Sequence, residues 1–130
     1  PDSDETIKNI IDSLFEYRKR ARTLVIAAGD LAHVGPEFGD ATSMDELSLG
    51  DLASKDHISL ANIEKGDPDS FFQASAEEGD VRKICGLTPI YLMGKVLSDC
   101  KGYSVGYDQC PADQNRTSVV SIAGTLLFGH

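Results

Sequence analysis

The first thirty residues combine a helical pattern with an apolar run. Apolar side chains recur at the spacing of one helical face through residues 7–15, and Asp2 with Glu5 three positions later is typical of a capping box. This pattern predicts a helix that ends near Ala21. The unbroken apolar run at residues 24–29 predicts a strand buried on both faces, as in the parallel sheets of α/β proteins. A helix followed by such a strand indicates the returning arm of a βαβ unit.

The rest of the chain alternates helical and extended patterns, with proline and glycine between them. The patterns predict a loop over residues 30–42, followed by a helix capped at Ser43 with an interruption near Gly50. A short helix capped at Asp67 and an extended piece over residues 81–85 come next. The last predicted elements are a helix capped at Thr88 that runs to about residue 99, and strands over residues 102–107 and 118–128. Together they predict one α/β unit over residues 1–130.

The charge balance narrows the class of partner. Twelve Lys and Arg oppose 21 Asp and Glu, which leaves a formal charge of −9. Such a chain is a poor candidate for binding nucleic acid or anionic lipid, because both need a basic surface. No apolar run reaches the roughly 18–20 residues of a membrane span, and the first residues are acidic, unlike a secretory signal. We therefore expect a cytoplasmic protein that binds neither nucleic acid nor membrane.

Cysteine usage agrees with that expectation. The chain has three cysteines, Cys85, Cys100 and Cys110, and no Cys-x-x-Cys pair. An odd number without paired spacing predicts neither a disulfide framework nor a self-contained zinc site. Cys100 and Cys110 are expected to be small buried hydrophobic residues.

The first candidate for chemistry is the pair Asp30 and His33, directly after the predicted buried strand. Ligands of open α/β sheets bind beyond the carboxyl ends of strands. An aspartate there can accept the imidazole N–H and leave the other ring nitrogen for a proton or a metal. The alternative is structural: Asp30 caps a turn and His33 bonds a carbonyl.

The second candidate is Cys85, which lies shortly before a predicted helix start with Arg82 and Lys83 close behind it. Helix starts and nearby cations both favour a thiolate, which can act as a nucleophile, a soft metal ligand or a redox-sensitive group. A buried, inert cysteine is the alternative reading.

Other polar residues are weaker candidates. His57 is expected on the surface, and His130 is the last residue of the chain. The acidic residues of the predicted second helix are most simply a solvated face. They are Asp45, Glu46, Asp51 and Asp56.

An ordered set of motifs runs along most of the chain. The motifs are, in chain order, Ala28 to Pro36 followed by Phe38 and Gly39, then Gly66-Asp67-Pro68 with Phe71, Ile84-Cys85-Gly86 with Pro89 and Ile90, and Ser118 to Ser121 with Ala123 and Gly124. This ordered set resembles the Memo family, also called AmmeMemoRadiSam system protein B. The resemblance extends from about residue 21 to residue 128. It implies the fold of the class III extradiol dioxygenases, an α/β sandwich in which helices cover both faces of a layered sheet.

The same resemblance implies roles for three residues. Asp30 and His33 match the family's active-site aspartate and histidine, and Cys85 matches its metal-associated cysteine. By this likeness Cys85 and His33 would bind iron or copper, His33 would also serve as an acid or base, and Asp30 would orient it or add a ligand. A thiolate suits copper(I) as well as iron. A cysteine ligand also departs from the two-histidine, one-carboxylate site of ring-cleaving oxygenases.

Length is the main departure from the family. Its members are about twice as long, and their amino-terminal halves supply two further metal-binding histidines. The chain therefore resembles a carboxyl-terminal half, with an incomplete sheet that a missing amino-terminal half or a second copy would cover.

The sequence leads to one principal hypothesis and two alternatives. The principal one is a redox-active iron or copper pocket formed by Asp30, His33 and Cys85. Such a pocket would suit a metal-dependent oxidoreductase. The first alternative is a non-catalytic module that binds a peptide or small molecule in the same cleft. The second makes Cys85 a nucleophile that needs no metal.

Overall fold

The computed structural model describes residues 3–129, which form four α-helices, one short 3-10 helix and three strands. In chain order these are α1 (Glu5–Arg20), β1 (His33–Val34), the 3-10 helix (Pro36–Phe38), α2 (Glu46–Glu64), α3 (Pro68–Glu77), α4 (Leu87–Leu97), β2 (Lys101–Pro111) and β3 (Val119–Phe128). The predicted α/β class is confirmed. None of the helices within residues 3–129 is long and apolar enough to cross a membrane.

The three strands form an antiparallel sheet in the order β1-β3-β2. β2 and β3 pair along their whole lengths, and β2 extends beyond the predicted 102–107 at both ends. β1 adds two pairs, His33 opposite Val120 and Val34 opposite Val119. It lies inside the segment predicted to be a loop, because two residues are too few to produce an alternating pattern. The central strand β3 thus carries both neighbours.

The first two helices begin differently from the prediction. Asp4 caps α1 by accepting the N–H groups of Thr6 and Ile7, whereas Asp2 lies outside the described residues. α2 is capped by Asp45 instead of Ser43, and it continues through Gly50 without the predicted interruption. A helical glycine costs only about 1 kcal/mol, which the packing of a long helix outweighs.

The later helices follow the prediction more closely. Asp67 caps α3 by accepting the Ser70 N–H, and Pro68 occupies the first turn, as expected. α4 begins at Leu87 and its N-cap is Gly86, which makes no side-chain hydrogen bond, so the predicted cap at Thr88 is wrong by two positions.

Two buried clusters meet at the segment that enters β1. The first contains Leu31 with residues of α2 and α3, among them Leu60 and Phe71. The second contains Ala32 and Val34 with Leu52 and Val119. Residues 31–34 are therefore held from both sides, and their backbone is a rigid support for polar side chains at its surface.

The predicted buried strand at residues 24–29 is wrong for this chain. Leu24 is 83% exposed and Ile26 is 76% exposed. Among residues 3–129, no hydrogen bond involves the backbone of this segment, so it pairs with no strand. The sheet is antiparallel, and the predicted parallel βαβ arrangement is absent from the described residues. A strand buried on both faces lies inside a sheet whose faces are both covered, and no strand within residues 3–129 pairs with this segment.

Apolar surface is also exposed on the sheet itself. Tyr103 and Val105 of β2, and Leu126 and Phe128 of β3, are each about half exposed or more. A groove of about 290 Å³ separates residues 24–29 from β3 and α4, and its walls are largely apolar. Exposed apolar areas of this kind are uncommon on the surface of soluble monomers.

Candidate metal centre

An irregularity in the pairing of β1 with β3 brings Asp30 and His33 to the same place. Leu31 donates its N–H to the carbonyl oxygen of Ser121, and Ser121 donates its N–H to the carbonyl oxygen of Ala32, both over 2.9 Å. The Ala32 N–H donates to the Ser121 hydroxyl, also over 2.9 Å. Two residues of one strand therefore oppose one residue of the other, which is the arrangement of a β-bulge and re-aims the flanking side chains.

The loop before α4 delivers Cys85 to the same point. The Asp30 N–H donates to the Cys85 sulfur over 3.1 Å, and the Gly86 N–H donates to the Asp30 carbonyl oxygen over 2.9 Å. The segments that contain Gly29 and Gly86 approach so closely that a Cβ on Gly29 would lie 2.6 Å from the Gly86 Cα. Glycine at both positions permits this contact, which fixes the sulfur beside Asp30.

One potential ligand atom from each of Asp30, His33 and Cys85 lies within 4.8 Å of the other two. The side chain of Asp30 is 50% exposed and that of His33 is 20% exposed, while Cys85 is exposed. The structure thus brings together the three site residues predicted from the sequence. An open mouth and a partly buried base are typical of a site that receives a ligand.

The expected hydrogen bond between Asp30 and His33 is absent. The His33 Nε2 lies 3.8 Å from the Asp30 Oδ2, which is beyond hydrogen-bonding range. The His33 ring instead stands edge-on to Phe38, with 5.1 Å between ring centroids. Its Nδ1 is buried and has no hydrogen-bond partner among residues 3–129. A buried nitrogen left without a partner is costly, so the packing around His33, and not a hydrogen bond from its Nδ1, holds the ring in this position.

A second link joins the two loops at the site. The Lys83 Nζ lies 2.5 Å from the Asp40 Oδ1, and the Asp40 Oδ2 accepts the Gly35 N–H over 2.8 Å. The hydrogen bond from Lys83, followed by that from Gly35, holds the pKa of Asp40 below its usual value. Asp40 therefore connects the loop after β1 to the loop that carries Cys85.

Replacing Asp40 by asparagine is expected to lower the free energy of unfolding at neutral pH but not in acid. Because the pKa of Asp40 is lowered on folding, its contribution is present above the unfolded pKa of about 3.9 and is lost as the pH falls through the folded value. The pair is partly exposed, so we expect a loss of about 0.5–1 kcal/mol. Urea unfolding of both proteins at neutral pH and at about pH 2 measures it.

Lys83→Met provides the control, because in that background Asp40→Asn loses the main cause of its effect. An equal loss of stability at both pH values would contradict the assignment.

The two cations expected beside the thiol are paired elsewhere. Lys83 is engaged by Asp40, and the guanidinium of Arg82 contacts Asp56 and Glu78. Asp56 is fully buried, so its placement on a solvated helix face is wrong. Helical periodicity did not reveal this, because the partner of Asp56 lies 26 residues away in the chain. The sulfur is contacted instead by a backbone amide, which no residue pattern indicates.

The other cysteines and histidines lie apart from this cluster. Cys100 is buried, and burial raises the pKa of its thiol; Cys110 is partly buried. His57 is exposed, as expected, and its ring contacts Tyr107. His130 lies outside the described residues. Among residues 3–129, no other group of three His, Cys, Asp or Glu side chains has comparable spacing.

Comparison with known proteins gives a family match. No curated protein sequence matches the sequence of this chain. A family model described as "Memo-like protein" matches residues 2–126, which is almost the whole chain. The match contains every residue of the Asp30, His33 and Cys85 cluster. The chain therefore belongs to the Memo-like protein family.

Proposed function

We propose that Asp30, His33 and Cys85 form a pocket that binds a redox-active metal ion, iron or copper. The observation that carries the proposal is the convergence of a carboxylate, an imidazole and a thiol within 4.8 Å, from segments more than fifty residues apart. Donor atoms on one ion are separated by about 3–4.5 Å, so the cluster needs to close only slightly around a metal.

The donor chemistry supports iron or copper. Cysteine is a soft ligand that suits copper(I) and iron, and imidazole binds both metals. The His33 Nε2 lies 3.8 Å from the Asp30 Oδ2, so this ring nitrogen is placed to bind an ion beside the carboxylate. A bound ion of this kind supplies electron transfer between its oxidation states and Lewis acidity.

We assign a different role around that ion to each of the three side chains. Cys85 anchors it through a sulfur that the Asp30 amide holds in place. His33 is a second ligand or holds a proton, since its position beside Phe38 restricts the ring. Asp30, whose side chain is half exposed, is the group that meets an incoming small molecule or peptide and can add a carboxylate oxygen.

The unpaired cysteines and the uncovered apolar surface belong to the same proposal. Cys85, Cys100 and Cys110 are free thiols, as in proteins of the reducing cytoplasm, where we place this protein. The groove beside residues 24–29 begins at Gly29, next to the cluster. We propose that an amino-terminal half or a second copy covers it and adds ligands to the pocket.

Replacing Cys85 by alanine is expected to abolish tight binding of iron(II) and copper(I), because the thiolate is the strongest of the three donors. Metal content after anaerobic reconstitution and dialysis measures the effect, with His33→Ala as a second variant. Cys110→Ala is the matched control, since it removes a partly buried thiol outside the cluster.

Three results would contradict the metal proposal. Equal metal content in the wild type and in Cys85→Ala would exclude Cys85 as a ligand. Undiminished peptide or small-molecule binding in the presence of chelator would favour the non-catalytic binding module. Alkylation of Cys85 that is equally rapid before and after reconstitution with iron(II) or copper(I) would favour the metal-free nucleophile.

A further inference from the structure

Arg82 carries a deeply buried positive charge. Its side chain is 4% exposed, and its Nη1 donates to the Asp56 Oδ1 over 2.7 Å. Its Nε and Nη2 each donate to the Glu78 carboxylate over 2.8 Å, and Nη2 also donates to the Ser59 hydroxyl over 3.0 Å. Taking ions out of water is costly, and the arrangement persists because each of the three guanidinium nitrogens donates a hydrogen bond and two carboxylates balance the charge.

The network extends from Arg82 into the sheet. The second carboxylate oxygen of Asp56 accepts the Tyr107 hydroxyl over 2.9 Å, and the Tyr107 oxygen accepts the Gln109 side-chain amide over 2.9 Å. Burial raises the pKa of Tyr107 far above its ordinary value, so its hydroxyl stays protonated and continues to donate. The guanidinium is consequently fixed by α2, by the end of α3 and, through Asp56, by β2.

The backbone of Arg82 is part of the metal site's support. Its carbonyl oxygen accepts the His33 N–H over 2.7 Å, and Cys85 follows only three residues later. Asp80 and Lys83, on either side of Arg82, have φ values of 57° and 49°, in the left-handed region. Such a conformation is unfavourable for a non-glycine residue, so the loop keeps it only where its surroundings impose it.

We propose that the Asp56–Arg82 pair is a positioning element, which holds the loop over residues 79–86 so that Cys85 meets His33. The guanidinium contacts no donor of the proposed site and acts only through the backbone that it anchors. The consequence for metal affinity rests on the proposed function, whereas the consequence for the His33 amide does not.

The test compares Asp56→Asn, which keeps the side-chain shape and removes the charge, with two control variants. Asp51→Asn makes the same change in an exposed pair with Lys55 on the same helix. Val96→Ala removes buried volume near the end of α4 and reports the effect of lower stability alone. The readouts are hydrogen exchange of the His33 amide in metal-free protein and affinity for cobalt(II), measured through the sulfur-to-cobalt absorption band under conditions where each protein is folded.

Asp56→Asn is expected to expose the His33 amide to exchange and to weaken cobalt binding by roughly 10–100-fold, the range typical for groups that orient metal ligands. Neither control is expected to do so. If Asp56→Asn does not fold, Ser59→Ala removes one bond to the same guanidinium and is expected to shift both readouts in the same direction by less.

The outcomes separate the two proposals. Unchanged amide protection and unchanged cobalt affinity in Asp56→Asn, with cobalt binding that depends on Cys85 in the wild type, would overturn the positioning role alone. Absence of cobalt binding in the wild type would overturn the metal site, and amide exchange would still decide the positioning role.

Discussion

Replacing Asp56 by alanine is expected to destabilise the fold by about 3 kcal/mol, at the lower end of the range for breaking a buried ion pair. Asp56 is fully buried, and its loss leaves the Arg82 guanidinium with Glu78 as its remaining charged partner. It also removes the acceptor for the Tyr107 hydroxyl. Urea unfolding, with the midpoint and slope fitted separately, measures the change.

The double variant Asp56→Ala with Arg82→Met separates the buried charge from lost packing. Because no lone cation remains, we expect the double variant to lose less stability than the sum of the two single variants. Asp51→Ala, at an exposed site on the same helix, should change stability by less than about 0.5 kcal/mol. A loss below about 1 kcal/mol for Asp56→Ala would show that water or Glu78 already satisfies Arg82.

Replacing Gly86 by alanine is expected to damage the proposed metal site and the fold together. A Cβ at this position would lie 2.7 Å from the Asp30 carbonyl oxygen and 2.9 Å from the Ile90 Cδ1. The Ile90 side chain can move, but the Asp30 carbonyl belongs to the backbone and accepts the Gly86 N–H. The loop with Cys85 must therefore move away from Asp30. We expect a loss of about 1–3 kcal/mol in stability and at least a tenfold loss in metal affinity.

Gly106→Ala is the matched control for this substitution. A Cβ on Gly106 meets no heavy atom within 4 Å, and the residue lies in β2, away from the cluster. Unfolding curves and cobalt titration apply to both variants. If Gly86→Ala binds metal as tightly as Gly106→Ala does, the contact between the segments of Gly29 and Gly86 does not set the position of Cys85.

Local patterns predicted much of the helical framework. The spacing of apolar residues, and the Asp67-Pro68 start of α3, depend on contacts within a few residues, so sequence alone identifies them. The cap of α2 was missed because Ser43 and Asp45 both have the chemistry of a cap, and that of α4 because Gly86 makes no side-chain hydrogen bond there. The strand pattern of residues 118–128 was also sufficient, since β3 alternates between the two faces of the sheet.

The segment at residues 24–29 marks the limit of that approach. Its apolar run has the composition of a buried strand, but burial depends on neighbours that lie elsewhere in the polypeptide or in another chain. Within residues 3–129 no strand pairs with it, and Leu24 and Ile26 are largely exposed. Composition describes what a segment can do in a sheet, and only the surrounding chain decides whether it does so.

The chemical identity of the candidate site was accessible from the residues themselves. An aspartate and a histidine three positions apart, and a cysteine before a helix, are types whose side chains bind metals or protons. Their meeting within 4.8 Å depends on the β-bulge at Ser121 and on the contact of Gly29 with Gly86. The role of Asp56 likewise appears only where Arg82 reaches it from another part of the chain. Side-chain chemistry is a local property, whereas distance and burial are set by contacts between segments far apart in sequence, and these the tertiary structure alone determines.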